Sequence, residues 1–215
     1  MSEYSLNNGE RQWRDRGGRL YSGPKMIGIQ GISSDVARIG RRLSGEYLVN
    51  GNFGNISLKD PDKDGFYITS SGSYLDDPGL LVFVPLKGDV PRNASSEWRV
   101  HHEVYTKTRH VAIVHAHPPH AVAHSFFCDE IIPQDCEGIA LCPTIPVVTG
   151  EPGSQEVAEN VADCLCLTNL CIARAHGTFA AGKTLDEAFL YTSIAEYSCQ
   201  VLLVVRELQR EMGTP

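Results

Sequence analysis

Residues 111–119 read Val-Ala-Ile-Val-His-Ala-His-Pro-Pro, and they join a strand, two histidines and the start of a helix. The apolar first half predicts a short strand over residues 111–115. The two prolines end that strand and suit the first turn of a following helix. Because residues two apart on a strand point to the same side, His115 and His117 can meet one metal ion together.

A third histidine follows another predicted strand. His176 stands in Ala-His-Gly directly after an apolar strand predicted over residues 171–175. Three imidazoles that leave one position open are the pattern of a catalytic zinc, and the open position polarises a substrate oxygen. A structural role for these residues is the alternative, because the chain has eight histidines and a single His-x-His arises often by chance. His120 and His124, on the helix after the prolines, are predicted to be packing or surface residues.

The remaining elements surround these two strands. Strands and helices alternate irregularly, with a hairpin near the start, so the sequence predicts an α/β fold with a mixed sheet and helices on both faces. The other predicted elements are a helix from residue 34, strands at 56–58, 66–69 and 80–86, a helix that follows residues 95–97 and runs to about 109, a strand at 145–148, a helix at 155–167, a strand at 178–180 and a helix from 185 to about 208.

The chain divides into three predicted parts. Residues 1–33 form an N-terminal extension with little periodicity, residues 34–208 form one domain, and residues 209–215 form a C-terminal tail. The net charge of −7 argues against nucleic acid as the main partner, because phosphate backbones select for basic surfaces. No uninterrupted apolar run reaches the roughly 18 residues of a membrane span, and residues 1–19 lack the apolar core of a signal peptide. We therefore expect a cytoplasmic protein without a membrane partner.

Two further features suggest a ligand site. Glu97 follows two serines at the start of a predicted helix, where it is either an acid or base near the metal or only a first-turn acid that suits the helix dipole. Three small polar loops, at residues 54–57, 69–72 and 94–96, offer hydroxyls, amides and backbone N–H groups. Such loops can bind a phosphate without many lysines, although any one of them alone is more often a plain turn.

The order of these motifs resembles the class II aldolase and adducin family. The motifs are Gly-Asn-x-Ser from Gly54, Thr-x-Ser-Gly from Thr69, Ser-Ser-Glu-Trp-Arg-x-His from Ser95, His-x-His from His115 and His-Gly from His176. The resemblance covers residues 34 to about 208. It implies a three-layer αβα fold with a central mixed, largely antiparallel sheet, and a homotetramer with active sites between subunits.

The resemblance also implies the site residues. One Zn²⁺ per subunit would be held by His115, His117 and His176, with Glu97 as a further ligand in the resting enzyme and as the catalytic acid/base. The substrate phosphate would be bound by Asn55, Ser71, Gly72, Ser95 and Ser96. The implied reaction is a zinc-dependent retro-aldol cleavage of a small phosphorylated ketose, which gives dihydroxyacetone phosphate and an aldehyde.

One departure from the family pattern bears on the substrate. The aldolases of the family place a tyrosine just beyond a proline after the His-x-His helix, whereas Pro133 is followed here by Gln-Asp-Cys-Glu. Alternatives within the family are a methylthioribulose-phosphate-type dehydratase and a sugar-phosphate 4-epimerase. Alternatives of other classes are a non-catalytic, adducin-like scaffold and a zinc hydrolase, in which an open zinc position would activate water.

Overall fold

The computed structural model describes residues 4–7, 10–14, 20–25 and 29–213. Residues 1–35 and 36–215 form two compact units. The first unit contains a three-stranded antiparallel sheet in chain order, made of β1 (Tyr4–Asn7), β2 (Glu10–Arg14) and β3 (Leu20–Lys25). No element was predicted here from the sequence, because these short strands carry few apolar residues and give a weak period-two signal.

The second unit alternates strands and helices as the sequence predicts. Helix α1 comprises Ile29–Gly45. The elements that follow are β4 (Asn55–Lys59), β5 (Gly65–Ile68), β6 (Val82–Pro85), α2 (Trp98–Lys107), β7 (Ala112–Ala116), α3 (Pro119–Ser125), β8 (Glu130–Ile131), α4 (Cys136–Leu141), β9 (Ile145–Val148), α5 (Gln155–Leu165), β10 (Leu170–Ala173), β11 (Gly177–Gly182) and α6 (Leu185–Met212).

Strands β4 to β11 form one eight-stranded sheet with the order β6-β5-β4-β7-β11-β10-β9-β8. The neighbouring strands pair antiparallel except β9 and β10, which run parallel. The parallel pair requires a crossover, and α5 supplies it. The predicted mixed, largely antiparallel sheet is confirmed, and β7, the strand that carries His115, lies in its interior.

Helices cover both faces of the sheet and complete the three predicted layers. On one face, α2 and α5 bury residues such as Val104 and Val161 against Phe179 of β11. On the other face, α3 and α6 bury residues such as Ala121 and Cys199 against Ile172 of β10. Both clusters consist of nearly fully buried side chains, and each buried aliphatic side chain contributes about 1.5–3 kcal/mol to folding.

Several boundaries differ from the sequence prediction. Helix α1 begins at Ile29 rather than at residue 34, and β8 and α4 were not predicted, because elements of two and six residues are too short for a periodic signal. Helix α6 continues to Met212 and ends at Gly213, which adopts a left-handed conformation (φ 65°) that glycine tolerates without strain.

Helix α6 is also the one described helix that is long and apolar enough, by length and composition alone, to cross a membrane. Half of its most apolar 18-residue window is buried inside the domain. Ile194, Ala195, Cys199 and Leu202 of this helix belong to the core on the sheet. Its apolar character therefore matches a core helix.

Candidate metal centre and active site

Three histidines from two sequence-distant segments meet at one end of the sheet. His115, His117 and His176 each offer one ligand atom, and these atoms lie within 4.8 Å of one another. They are the one group of this kind in the part of the chain that the structure describes. The Nε2 atoms of His115 and His117 are 3.0 Å apart, and the His115 and His176 ring centroids are 4.7 Å apart.

The fold explains why these histidines converge. His115 is opposite Phe179 in the antiparallel pairing of β7 and β11, and its ring stacks on the Phe179 ring with centroids 4.1 Å apart. His117 continues the same side of the chain two residues later. The turn between β10 and β11 carries His176 to the same end of the sheet. His115 and His117 therefore reach the same end of the sheet, although β7 itself ends at Ala116 and His117 lies just beyond the strand.

Two residues beside His176 make this approach possible. A Cβ at Gly177 would lie 2.3 Å from the Ala116 carbonyl oxygen and 2.8 Å from the His117 ring, so only glycine fits there. Ala175 adopts a left-handed conformation (φ 57°), which costs a residue other than glycine about 1–3 kcal/mol and is found where surrounding structure enforces it. The backbone at His176 is therefore held in place at an energetic cost.

The histidines are held neutral and ready to bind a cation. The His115 Nδ1 donates to the Thr178 carbonyl at 2.9 Å, so its Nε2 lone pair faces the other two rings. Burial lowers the pKa of His115 well below its usual value, and the neighbouring His117 and His176 lower it further. Burial and His176 lower the pKa of His117 to about 4, and burial also lowers the pKa of His176. Neutral imidazoles are the form that binds metals.

Glu97 is buried at the start of α2. It occupies the N-cap position and is 6% exposed, but its side chain makes no capping hydrogen bond within the described structure. Its Oε2 is buried and has no hydrogen-bond partner among the described residues. Burial raises the pKa of Glu97 to about 7, against a backbone hydrogen bond from Gly153 that lowers it. Glu97 lies outside the cluster of histidine nitrogens, so its predicted role as a metal ligand stays a prediction.

The structure brings the three small polar loops together. An isolated bridge pairs Ser70 with Ala94, and the Ser71 N–H donates to the Asn93 carbonyl at 3.0 Å. Asn55 of the first loop is opposite His115 across the pairing of β4 and β7. The loops therefore lie beside one another at one end of the sheet, and the first of them is opposite His115.

The five predicted phosphate ligands differ in their surroundings. Asn55 and Ser95 are nearly buried, whereas Ser71, Gly72 and Ser96 are exposed. The Ser95 hydroxyl accepts weakly from the Glu97 N–H at 3.4 Å, so part of its hydrogen-bonding capacity is used locally. Gly72 has a positive φ of 77° and leaves an open surface at the loop. No phosphate-binding role is tested by these contacts, and the set stays a prediction.

Unpaired buried polar atoms concentrate at this end of the sheet. Six buried side-chain atoms have no partner within the described residues, and four of them belong to Asn55, Glu97, His101 and His176. Buried polar groups normally have hydrogen-bond partners, so a cluster of unpaired ones indicates a site that is completed by a ligand, an ion or water. The three imidazoles with an inward-facing lone pair fit a divalent cation such as zinc.

Sequence reasoning missed a buried network behind the site. His101, one turn after Glu97 on α2, is fully buried, and its Nδ1 lies 2.6 Å from the Ser57 hydroxyl, which in turn lies 2.7 Å from the Tyr105 hydroxyl. Burial lowers the pKa of His101 to about 3. The i, i+4 spacing of Glu97 and His101 is the available sequence signal, since it places both on one helix face.

The residues near Pro133 and on α3 have structural partners. Asp135 caps α4 by accepting from the Gly138 N–H at 2.7 Å. His120, predicted as a packing or surface residue, has its Nδ1 2.6 Å from the buried Glu196 carboxylate. His124 is partly buried beside it on α3. These contacts place none of them in the histidine cluster.

Comparison with known proteins agrees with this geometry. The Class II Aldolase and Adducin N-terminal domain matches residues 34–203. An L-fuculose phosphate aldolase from Methanococcus maripaludis is 30% identical over 170 residues, which are 76% of this chain and 91% of the relative. A 5-methylthioribulose-1-phosphate/5-deoxyribulose-1-phosphate aldolase from Rhodospirillum rubrum is 30% identical over 149 residues, which are 66% of each chain.

A solved structure extends the match to three dimensions. The L-fuculose-1-phosphate aldolase of Thermus thermophilus superposes with a TM-score of 0.79 at 36% identity, over 83% of this chain and 95% of that one. The family is metal-dependent, and the histidine cluster can bind a metal. The family match over most of the chain, the relatives and the fold agree: the chain belongs to the class II aldolase and adducin family, and it is an aldolase, a carbon–carbon lyase.

Proposed function

We propose that the protein is a zinc-dependent aldolase that cleaves or forms a carbon–carbon bond in a small ketose 1-phosphate, with dihydroxyacetone phosphate as one product of cleavage. The observation that carries the proposal is the convergence of His115, His117 and His176 beside the three polar loops. The relatives from Methanococcus maripaludis and Thermus thermophilus, both L-fuculose phosphate aldolases, support a phosphorylated substrate of this kind.

The three histidines would hold the zinc. Their lowered pKa values keep them unprotonated at neutral pH, and three nitrogen ligands leave one position open. The zinc, when bound, supplies Lewis acidity at a substrate oxygen next to the bond that changes. Thr178 keeps the His115 ring oriented through the hydrogen bond to Nδ1.

Glu97 would move the proton. A carboxyl group with a pKa near 7 can both accept and release a proton at neutral pH. Its Oε2 is buried and has no partner among the described residues, so it is available to take a proton from a carbon next to the carbonyl and to return it. Burial also keeps bulk water away from this oxygen.

The polar loops would bind the phosphate. Asn55, Ser71, Gly72, Ser95 and Ser96 offer amide, hydroxyl and backbone donors, and the loop at 94–96 directly precedes the N-terminus of α2. Phosphates bind at such helix starts because the backbone N–H groups and the helix dipole favour negative charge. A phosphate held there would anchor the substrate within reach of the metal and Glu97.

A homotetramer with active sites between subunits is part of the proposal. Several large apolar side chains around α3 and α4 lie on the surface of the single chain, including Phe126 (58% exposed), Phe127 (89%) and Ile139 (55%). Exposed apolar groups of this kind favour an interface between copies. Light scattering on the purified protein tests this part, and a monomeric mass would contradict it.

Assay of the zinc-loaded protein with ketose 1-phosphates tests the reaction. Fuculose 1-phosphate and 5-methylthioribulose 1-phosphate are the substrates to compare, because relatives with both activities match the chain. Dihydroxyacetone phosphate with an aldehyde indicates the aldolase. A dehydrated diketone or an epimerised sugar would indicate instead the dehydratase or the 4-epimerase, and an absence of tight zinc binding would support the adducin-like scaffold.

A further inference from the structure

A buried serine connects α3 to the turn that carries His176. The Ser125 hydroxyl accepts the backbone N–H of Ala175 at 2.9 Å and donates to the Val122 carbonyl at 2.7 Å. The Ser125 carbonyl accepts from Arg174 Nη1 at 2.6 Å. Ser125 is fully buried, so no water can replace these bonds without a rearrangement. The last residue of α3 therefore holds both residues that precede His176.

The held residue is the strained one. Ala175 is one of two residues other than glycine that have a positive φ in the described chain. A left-handed alanine persists only where its surroundings over-determine it. The Ser125 hydroxyl satisfies the N–H of this residue, and the His176 N–H closes the turn onto the Ala173 carbonyl at 3.0 Å. Without the hydroxyl, the turn would lose the contact that selects this conformation over a relaxed one.

The other end of α3 is fixed as well. The buried Glu196 carboxylate of α6 accepts the N–H groups of His120 at 2.9 Å and Ala121 at 3.1 Å, and its Oε1 lies 2.6 Å from the His120 Nδ1. Only Pro118 and Pro119 separate His120 from His117. Helix α3 therefore spans the distance between the two histidine-bearing segments and is anchored at both ends.

We propose that Ser125 is a positioning residue for His176, which sets the place of that imidazole relative to His115 through the strained Ala175. The hydrogen bonds of Ser125 reach the residues before His176 and not the imidazole, so it acts through the backbone of the turn. The proposal rests on the proposed function only in assigning a metal to the three histidines. The placement of the His176 ring is a property of this chain and can be measured without metal.

The experiment compares Ser125→Ala with Thr192→Ala. Thr192 is a fully buried residue on α6 whose hydroxyl donates within its own helix, to the Ala188 carbonyl at 3.0 Å, and not to a residue of either histidine-bearing segment. Zinc affinity is measured by competition with a chromophoric chelator, melting temperature is measured on the metal-free proteins, and crystal structures of the metal-free proteins give the ring positions. If the Ser125 hydroxyl has only a structural role, both substitutions lower the melting temperature, and neither changes the zinc affinity or the position of the His176 ring.

The proposal predicts that Ser125→Ala weakens zinc binding about 10- to 100-fold, which is the range for loss of a group that orients a metal ligand. The zinc affinity of Thr192→Ala stays within about threefold of the wild-type value. In the metal-free crystals the His115–His176 centroid distance departs from 4.7 Å in Ser125→Ala only. Adding Ala175→Gly, which makes the left-handed conformation free of strain, recovers part of the affinity.

Unchanged affinity with an unmoved His176 ring in Ser125→Ala overturns the positioning role and leaves the aldolase proposal intact. Absence of tight zinc binding in the wild-type protein overturns the metal assignment instead. In that case the centroid distance in the metal-free crystals still decides whether Ser125 places the ring.

Discussion

The Nε2 atoms of His115 and His117 lie 3.0 Å apart and face each other. The His115 Nδ1 donates to the Thr178 carbonyl, so its Nε2 carries a lone pair. Two ring nitrogens at this distance share either a proton or a cation, because two lone pairs alone would repel. This relationship, with His176 beside it, is the structural basis for the proposed zinc site.

Replacement of any one of the three histidines should remove tight metal binding. We expect His115→Ala, His117→Ala and His176→Ala each to lower zinc affinity by more than about 100-fold. This loss is larger than the roughly 10- to 100-fold expected when a residue that only supports a metal ligand is replaced. His124→Ala is the matched control on α3 and should keep its zinc. Elemental analysis of the dialysed proteins measures this, and a variant that retains one zinc per chain would refute its histidine as a ligand.

Part of this site could be predicted from the sequence because its signals are local. The His-x-His spacing follows strand geometry, and the predicted strand of residues 111–115 is shifted by only one residue from the observed β7. The contact of Ser125 with Ala175 could not be predicted, since 50 residues separate them and a serine near a helix end has many uses. The strain at Ala175 is likewise invisible in the sequence, because alanine gives no sign of a positive φ.

The same limit applies to electrostatics and to weakly patterned segments. From the sequence, Glu97 was either an acid or base near the metal or a first-turn acid that suits the helix dipole, and the structure places it at the N-cap of α2 with no capping hydrogen bond within the described residues. Strands β1 to β3 escaped prediction because their register depends on pairing rather than on an apolar face.

The buried histidines should make the metal-free protein lose stability as the pH falls. Burial lowers the pKa of His101 to about 3, whereas an imidazole in the unfolded chain titrates near 6.5. Between these two values the unfolded chain binds more protons than the folded protein does. The free energy of unfolding therefore decreases as the pH is lowered, by about 1 kcal/mol per pH unit for this group. Burial raises the pKa of Glu97 to about 7, so this carboxyl stabilises the folded protein as the pH is lowered and partly offsets the effect of the histidines. The prediction therefore concerns the difference in pH dependence between the wild type and a His101 variant.

Urea unfolding at several pH values between about 6.5 and about 4 measures this difference, since the imidazole of the unfolded chain titrates in this range. We expect His101→Asn to flatten the acid-side slope relative to wild type. Tyr105→Phe removes a hydroxyl from the same network, 2.7 Å from Ser57, without removing a group that titrates in this range, so it should keep the wild-type slope. Equal slopes for wild type and His101→Asn would show that His101 is not held neutral by burial.

Removal of one phosphate contact should affect phosphorylated substrates selectively. Ser71→Ala or Asn55→Ala should raise KM for a ketose 1-phosphate by roughly 10- to 100-fold, since a hydrogen bond to a charged group contributes about 1.5–3 kcal/mol. The unphosphorylated ketose should be little affected. Ser73→Ala is the control, because its hydroxyl donates to the Ser70 carbonyl within the same loop. Equal effects of Ser71→Ala on both substrates would limit Ser71 to shaping its turn.

Loss of the proposed proton carrier should lower turnover and leave zinc binding in place. Glu97→Gln keeps the size of the side chain but cannot exchange a proton, so kcat should fall roughly 10²- to 10⁴-fold while the histidines retain the metal. A role limited to the helix start predicts a stability loss on the order of 0.3–1 kcal/mol with turnover nearly intact. Turnover within a few-fold of wild type would move the proton-transfer role to another residue.

Titration of zinc into the metal-free protein, with aldol cleavage followed at each addition, tests the central claim most directly. The proposal predicts that the chelator-treated protein is inactive, that activity on the ketose 1-phosphate rises in proportion to bound zinc, and that it reaches its maximum at one zinc per chain. Full cleavage activity in the metal-free protein, or bound zinc without any cleavage of a ketose 1-phosphate, would contradict the proposal of a zinc-dependent aldolase.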